Sequence, residues 1–196
     1  MRRLLVARHG ESEYSLKQLV NGDPGVSCPL TDAGRKQARA LGAALAGKAI
    51  DLCAVTEFER VRETAQLALA GRDVPYLVVP ELNDPRYGDF EGGPLAAYRE
   101  WVWERGPLEA PPGGEHRGDL ASRYARGFRT VLDRPEKTIL LVAHSLPIAY
   151  VRDAAEGCPP RSRTDQVGYA EVLELDRTGL ERAIHVLETW AEAPAF

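Results

Sequence analysis

The sequence predicts an α/β layered domain with a mostly parallel sheet, and two observations support this prediction. Apolar runs at 4–7, 51–55, 76–79 and 138–143 have the length and composition of buried strands. Segments with helical periodicity lie between them, and an alternation of strands and helices is typical of α/β folds. Because 196 residues is the size of one domain, we expect a single domain over 1–196.

The helical segments have apolar residues three and four positions apart. We predict helices over 32–45, 57–70, 96–104, 120–132 and 147–155. Thr31 is the expected cap of the first helix. Thr56 and Glu59 have the spacing of a capping box, in which a hydroxyl and a carboxylate satisfy N–H groups at the start of the second helix.

The last part of the chain is predicted to close the sheet. Segments 170–175 and 182–187 have the composition of strands on either side of a turn at 177–179. The proline- and glycine-rich segment 106–118 is the one long loop, and long loops in small domains are often functional. We therefore expect it to form a lid or a wall of a binding site.

The composition excludes several classes of partner. A net charge of −4 is unlike that of nucleic-acid binders, which carry a strongly basic balance. No run approaches the roughly 20 apolar residues of a membrane span, and the run after Met1 is too short for the core of a signal peptide. Cys28, Cys53 and Cys158 are too few and too scattered for a disulfide framework. We expect a cytoplasmic protein with reduced thiols, no nucleic-acid partner and no membrane association.

Unusual residues follow three of the predicted strands. Arg8 and His9 end the first, Arg60 lies in the helix after the second, and His144 and Ser145 follow the fourth. Ligands of open α/β sheets bind at the carboxyl ends of the strands. The topology therefore predicts that two histidines and two arginines converge at one edge of the sheet.

This set of residues suits a phosphoryl group. Arginines bind phosphate oxygens in a bidentate manner, and a neutral imidazole can attack phosphorus in line. Each residue also has a structural explanation when it is taken alone: His9 as a satisfied buried histidine, the arginines as surface ion pairs, and His144 as a helix cap. Their joint placement favours phosphoryl transfer with His9 as the covalent nucleophile.

The order of motifs along the chain resembles the histidine phosphatase superfamily, also called phosphoglycerate mutase-like. Six segments carry the resemblance: 8–12 (RHGES), 28–38 (CPLTDAGRKQA), 56–65 (TEFERVRETA), 82–92 (LNDPRYGDFEG), 113–115 (GGE) and 142–144 (VAH). The resemblance implies a three-layer α/β/α sandwich around a mostly parallel, mixed central sheet. It also implies a single catalytic domain over 1–196 with a small cap, or insertion, at about 85–118.

The resemblance implies a role for each matching residue. His9 would become phosphohistidine, while Arg8, Arg60 and His144 would bind the transferring phosphoryl group. Asp84 would be the general acid that protonates the leaving oxygen and then the base that activates water. A bound dianion raises the pKa of a neighbouring carboxyl group by like-charge repulsion, so Asp84 would hold a proton near neutral pH.

The acid position departs from the pattern of the family. Glutamate is more frequent there, and aspartate is one methylene shorter. Glu91 is the rival candidate if the register of this block is shifted.

Four further residues are expected to contact the substrate. Asn21 and Gly22 match a contact pair of the family. Ser15 stands where asparagine is frequent, and Ser145 stands where glycine usually follows the second histidine. Both hydroxyl groups can donate to phosphate.

Residues that this chain lacks predict that the phosphoryl group passes to water rather than to a second substrate oxygen. Mutases of the family typically carry a lysine at the position of Leu95 and an arginine pair in a longer insertion, and 90–120 contains no adjacent arginines. Tyr98, Trp101 and Trp103 stand there instead, either as helix core or as an apolar wall of the substrate site.

We therefore expect a metal-independent phosphomonoesterase that acts on a small-molecule phosphate ester. A mutase-type phosphotransferase and a phosphate-ester-binding regulatory module without turnover are the alternatives. The four histidines lack metal-ligand spacing, so no metal and no cofactor are expected. The oligomeric state stays open, with a homodimer as one option.

Overall fold

The central sheet has five strands, and four of them run parallel. The computed structural model describes residues 1–196. Its strands are β1 (Arg3–Arg8), β2 (Leu52–Val55), β3 (Tyr76–Val78), β4 (Thr138–Ala143) and β5 (Val172–Asp176). They are arranged in the order β3-β2-β4-β1-β5, and β5 alone is antiparallel to its neighbour. The predicted mostly parallel, mixed sheet is confirmed.

Seven α-helices surround the sheet. They are α1 (Glu13–Leu16), α2 (Asp32–Ala44), α3 (Glu59–Ala68), α4 (Leu95–Trp103), α5 (Arg117–Leu132), α6 (Ser145–Ala155) and α7 (Arg177–Glu192). Two short 3₁₀ turns, Pro80–Leu82 and Gly88–Phe90, lie between β3 and α4. The Thr31 hydroxyl accepts from the N–H of Gly34, so the predicted cap of α2 is confirmed.

The three layers follow from the two-residue period of the strands. Leu4 and Val6 of β1 pack in one apolar cluster with residues of α5, α6 and α7. Leu5 and Ala7 pack in a second cluster, on the opposite face, with residues of α2 and α3. Both faces of the central strands are therefore covered, which explains their uninterrupted apolar sequence. The α/β/α sandwich is confirmed.

The predicted strand at 182–187 is wrong, because this segment is part of α7. The carboxylate of Asp176 accepts from the N–H of Gly179 at 2.7 Å and caps the helix, so the predicted turn at 177–179 is its first turn. Leu180, Ala183, Ile184, Leu187 and Trp190 are buried at helical spacing against α5 and α6.

The predicted capping box at Thr56 is also wrong. The helix begins at Glu59, two residues later than predicted, and Phe58 at the cap position makes no side-chain hydrogen bond. The carboxylate of Glu59 instead accepts from the Ser27 hydroxyl and the N–H of Cys28. Thr56 is thereby free to bond a residue of the site described below.

A third, small apolar cluster joins the segment between β3 and α5 to the connection between α1 and α2. It contains Val20, Tyr87, Tyr98 and Val102, and Leu95 packs against it. The loop predicted at 106–118 ends at residue 116, because α5 begins at Arg117 with His116 as its cap. None of the helices is both long enough and apolar enough to cross a lipid bilayer.

Candidate active site

The carboxyl ends of β1, β2 and β4 lie at one edge of the sheet and bring three predicted site residues together. His9 follows β1 and His144 follows β4, and the N–H of His9 donates to the carbonyl of Ala143 at 3.0 Å. Arg60 is the second residue of α3, the helix that follows β2. All three side chains are buried, and the two imidazole rings lie 5.4 Å apart.

The surroundings of His9 define its tautomer. Nδ1 lies 2.7 Å from the main-chain carbonyl of Gly10, which can only accept a hydrogen bond, so Nδ1 carries the proton. Nε2 keeps its lone pair and accepts from Nε of Arg60 at 3.3 Å. Burial, reinforced by the charges of Arg60, His144 and Arg8, holds the pKa of His9 well below its usual value. His9 is therefore a neutral imidazole with an unprotonated Nε2, and it lines the cavity described below.

Arg60 is the central contact of the site. Its NH1 group donates to the side-chain oxygen of Asn21 at 2.5 Å, and its NH2 group donates to Oδ2 of Asp84 at 2.6 Å. The same NH2 group lies 3.4 Å from Nδ1 of His144. One guanidinium therefore contacts both imidazoles and the carboxylate.

Asp84 also pairs with His144. Oδ2 of Asp84 lies 3.0 Å from Nδ1 of His144, while Nε2 of His144 bonds the hydroxyl of Thr56 at 2.9 Å. Burial alone would raise the pKa of Asp84, but the neighbouring His144 and Arg60 outweigh burial and hold this pKa below its ordinary value. Burial likewise lowers the pKa of His144, and the Asp84 charge opposes that shift. With no phosphoryl group bound, Asp84 is a carboxylate.

Arg8 reaches the cavity from the end of β1. It donates to the carbonyl of Val167 at 2.7 Å, and its guanidinium carbon lies 4.0 Å from the centre of the Tyr169 ring. Its Nε–H is buried without an acceptor, and no carboxylate lies within ion-pair distance. Burial lowers the pKa of Arg8. Its charge is thus available to an anion in the cavity.

Three of the four expected substrate contacts line this cavity, which has a volume of about 140 Å³. Ser15 lies there with its hydroxyl 2.9 Å from that of Ser12, and the Ser145 hydroxyl accepts from the N–H of Val167. Asn21 both lines the cavity and fixes Arg60. Gly22 lies instead in a neighbouring groove.

Glu91 occupies that neighbouring groove as well. Its carboxylate accepts from the N–H of Gly22 at 2.8 and 3.0 Å, and burial raises its pKa. It does not line the cavity around His9, whereas Asp84 does. The geometry favours Asp84 over Glu91 as the acid.

The apolar wall of the cavity comes from α4. Leu95, Tyr98 and Trp103 line it, while Trp101 packs on Phe90 with ring centres 5.9 Å apart. The helix-core and pocket-wall interpretations therefore apply to different residues of one helix. Tyr98 satisfies both, since it is buried in the small cluster and borders the cavity.

Arg117 and Tyr169 are the most informative of the cavity residues that the sequence did not predict. Arg117, the first residue of α5, lines the cavity and is 5% exposed. Tyr169 stacks on Arg8 from the connection between α6 and β5, with its ring centre 6.3 Å from that of His9. Neither residue follows a parallel strand, so the strand-end argument could not identify them. The start of α5 just after the GGE segment was the one available signal for Arg117.

A second buried ion pair lies behind Asp84. Arg123 donates two hydrogen bonds to Glu115, each of 2.9 Å, and further bonds to the carbonyls of Glu81, Asn83 and Asp84. Glu115 belongs to the predicted GGE segment. Its function in the structure is to hold the arginine that fixes the main chain of the candidate acid.

His9, Asp84 and His144 are also the one group of side chains with the proximity of metal ligands. Their ligand atoms lie within 4.8 Å of one another. Arg60 already contacts all three, at 3.3, 2.6 and 3.4 Å. A metal cation here would meet a buried guanidinium at contact distance, so the arrangement favours an anionic ligand.

The fold and this site together define a histidine phosphatase-type protein. The sequence profile of the histidine phosphatase superfamily (branch 1) matches residues 4–189, and the chain belongs to this family. The chain is 33% identical to the 2,3-bisphosphoglycerate-dependent phosphoglycerate mutase of Bartonella henselae, over 80% of this chain and 82% of that protein. It is 43% identical to the adenosylcobalamin/alpha-ribazole phosphatase of Salmonella typhimurium, over 45% of this chain and 43% of that enzyme. The matched part is less than half of the Salmonella protein.

Solved structures show the same relationship. The alpha-ribazole phosphatase from Shigella flexneri has a TM-score of 0.76 and 28% identity, with 89% of this chain and 90% of that chain covered. A mycobacterial glucosyl-3-phosphoglycerate phosphatase in complex with VO3 has a TM-score of 0.74 and 25% identity, with coverage of 90% and 91%. The relatives therefore include both phosphatases and mutases.

Proposed function

We propose that this protein is a metal-independent phosphomonoesterase that forms a phosphohistidine on Nε2 of His9. One observation carries the proposal: a neutral imidazole with an unprotonated Nε2 lines a cavity together with Arg8 and Arg60, and the ring of buried His144 lies 5.4 Å from its own. The buried cations attract the phosphoryl group, and the imidazole attacks it. The substrate is a small phosphate ester, with α4 in a cap at about 85–118 as part of its binding site.

The first half-reaction transfers the phosphoryl group to the protein. Arg8, Arg60 and His144 bind its oxygens, and Nε2 of His9 attacks phosphorus as the bond to the ester oxygen breaks. The Nδ1–H bond to the Gly10 carbonyl stabilises the ring as it gains positive charge. Asp84, in its protonated form, gives its proton to the departing oxygen and the alcohol leaves.

The second half-reaction returns the protein to its starting state. Asp84, now a carboxylate, takes a proton from a water molecule, whose oxygen attacks the phosphorus of phosphohistidine. The bond between phosphorus and Nε2 breaks, inorganic phosphate forms, and His9 recovers its lone pair. The proton that Asp84 gave to the alcohol is thereby replaced, so the cycle balances.

The acid role requires Asp84 to gain a proton when the substrate binds. The donors that hold its pKa low, Arg60 and His144, are the groups that bind the phosphoryl oxygens. A bound dianion shares these donors and repels the carboxylate, so both effects raise the pKa of Asp84. The substrate thus creates the protonated acid that its own cleavage requires.

Hydrolysis rather than mutase action is supported by the cavity wall. No lysine lines the cavity, and Leu95 borders it where the mutases of the family carry one. Because several relatives are phosphoglycerate mutases, the two activities need separate assays. With phosphoglycerate and bisphosphoglycerate supplied together, we expect release of inorganic phosphate and no isomerisation above background. Efficient isomerisation would replace hydrolysis by mutase action as the function of this site.

The decisive test is hydrolysis of an aryl phosphate in the presence of excess chelator. We expect turnover by the wild-type protein, together with a phosphoenzyme trapped by rapid quenching whose phosphate is acid-labile. His9→Ala should abolish both signals. The matched control is His185→Ala, which alters an exposed histidine of α7 and should retain full activity. Turnover that survives His9→Ala, or vanishes with the chelator, would refute the proposal.

A further inference from the structure

Arg117 is a buried arginine without an acidic partner. It is 5% exposed, and no carboxylate oxygen lies within 4.0 Å of its guanidinium nitrogens. It donates to the hydroxyl of Tyr150 at 3.0 Å and, more weakly, to the carbonyl of Ser162 at 3.4 Å. Its Nε–H has no acceptor. Arg117 therefore has five N–H donors and a full positive charge, but its hydrogen-bond acceptors are two neutral oxygens.

Two other arginines of this region are paired with carboxylates. Arg60 pairs with Asp84, and Arg123 pairs with Glu115. Arg8 is the exception that matches Arg117, since it too is buried without a carboxylate and has an unpaired Nε–H. Arg8 lies beside His9, where the phosphoryl group is proposed to bind. By the same physical reasoning, Arg117 has the properties of a second anion-binding residue.

Burial of an uncompensated charge is costly, and such charges are usually paired with another ion. Arg117 lines the cavity that contains His9, so a bound molecule can supply the missing anion. The neighbouring wall belongs to α4, where the charge of Arg117 acts on the buried hydroxyl of Tyr98. Tyr98 lines the same cavity and belongs to the small apolar cluster.

The charge of the cavity supports this interpretation. Four arginines and two aspartates line it, so its side chains carry a net charge of +2 with the histidines neutral, although the whole chain carries −4. Arg8 and Arg60 come from the edge of the sheet, whereas Arg99 and Arg117 come from α4 and α5. Positive charge is thus supplied by the cap side as well as by the side of the nucleophile.

We propose that Arg117 binds a second anionic group of the substrate, so that the preferred substrates are phosphate monoesters that carry a further carboxylate or phosphate. This inference rests on the proposed phosphatase function. The phosphoryl group to be cleaved lies at His9, and the second anion lies against α5. Arg117 then determines specificity by contact with the substrate.

The test compares three series of aliphatic phosphate monoesters that differ in the far end group: hydroxyl, carboxylate or second phosphate. Each series has two, three or four carbons between the end groups, because the distance between His9 and Arg117 determines which ester is long enough to reach both residues. We expect kcat/KM for the best anion-ended ester to exceed that of its hydroxyl-ended counterpart by about tenfold to a hundredfold, the usual strength of a charge-assisted hydrogen bond. The carboxylate and phosphate series identify which anion is preferred.

Substitution of Arg117 assigns this preference to one residue. In Arg117→Gln, the ratio of kcat/KM for anion-ended to hydroxyl-ended esters should fall by about tenfold to a hundredfold. Arg117→Lys keeps the charge and should retain most of this ratio. It keeps the test informative if Arg117→Gln fails to fold. The matched control is Arg72→Gln, a half-buried arginine that donates only to main-chain carbonyls outside the cavity and should leave the ratio unchanged.

Failure of this inference differs from failure of the phosphatase proposal. If aryl phosphate is hydrolysed but no chain length shows an anion preference, or if Arg117→Gln lowers kcat/KM equally for all esters, Arg117 only links α5 to Tyr150 and the inference is wrong. If nothing is hydrolysed, the phosphatase proposal is wrong. Calorimetric titration of His9→Ala with the same esters then decides the anion preference without turnover.

Discussion

Removal of the Arg123 side chain should destabilise the protein far more than removal of an exposed arginine from the same helix. Arg123→Met deletes two hydrogen bonds to Glu115 and three to main-chain carbonyls. The Glu115 carboxylate, with 5% of its side chain exposed, then keeps the N–H of Arg86 as a donor and the exposed Arg86 guanidinium, at 3.8 Å, as its remaining cation. Loss of one partner of a buried pair costs about 3 to 5 kcal/mol, and we expect the lower part of this range because the exposed Arg86 still compensates the Glu115 charge to a small extent.

The measurement is equilibrium unfolding in urea. The control is Arg129→Met, on the same helix, whose pair with Glu188 has side chains that are 50% and 41% exposed and should contribute less than about 1 kcal/mol. The double variant Glu115→Gln/Arg123→Met also removes the charge of Glu115. Its loss in the free energy of unfolding should therefore be smaller than the sum of the losses in the two single variants by about 1 to 3 kcal/mol. Equal losses in Arg123→Met and Arg129→Met, or additivity in the double variant, would refute this reasoning.

Three further perturbations test the site. Burial lowers the pKa values of His9 and His144 in the folded protein, so the free energy of unfolding should be highest above their unfolded pKa near 6.5 and should fall as the pH drops below it. The fall should reach up to about 1.4 kcal/mol per pH unit for each histidine. Urea unfolding at several pH values measures it, and the fall should be shallower in His9→Gln. Asp84→Asn should lower kcat most for esters with poor leaving groups, whereas Glu91→Gln should not change this dependence, and the reverse result would make Glu91 the acid. Gly22→Ala should cost about 1 to 3 kcal/mol in thermal or chemical unfolding, since its Cβ would lie 2.1 Å from a main-chain carbonyl oxygen, and an unchanged stability would contradict that packing.

The central part of the fold was predictable because its signals are local. β1 and β4 are buried on both faces, so their apolar sequence has one interpretation. Segment 182–187 failed because six residues with isoleucine and valine fit a strand. The burial that makes it helical appears only over the sixteen residues of α7. The capping box failed because tertiary contacts of Thr56 and Glu59 took precedence over their local spacing.

The site was predictable to the extent that topology positions it. Strand ends place His9 and His144, and the helix after β2 places Arg60. Asp84 follows a 3₁₀ turn, so only the family resemblance pointed to it. Arg117 comes from the start of α5, and its importance lies in the missing carboxylate around it, which sequence spacing does not encode.

The contact between Asp84, Arg60 and His144 has a consequence for product release. The protein supplies its own anion to Arg60 and His144, since one carboxylate oxygen accepts from both donors at 2.6 and 3.0 Å. Inorganic phosphate must displace this carboxylate to stay bound, so part of its binding free energy is spent on breaking two internal contacts. On the proposed mechanism, Asp84 releases to solvent the proton that it took from water, and its carboxylate then returns to these donors and helps to expel phosphate. The resting ion pair would thereby limit product inhibition and favour the next turnover.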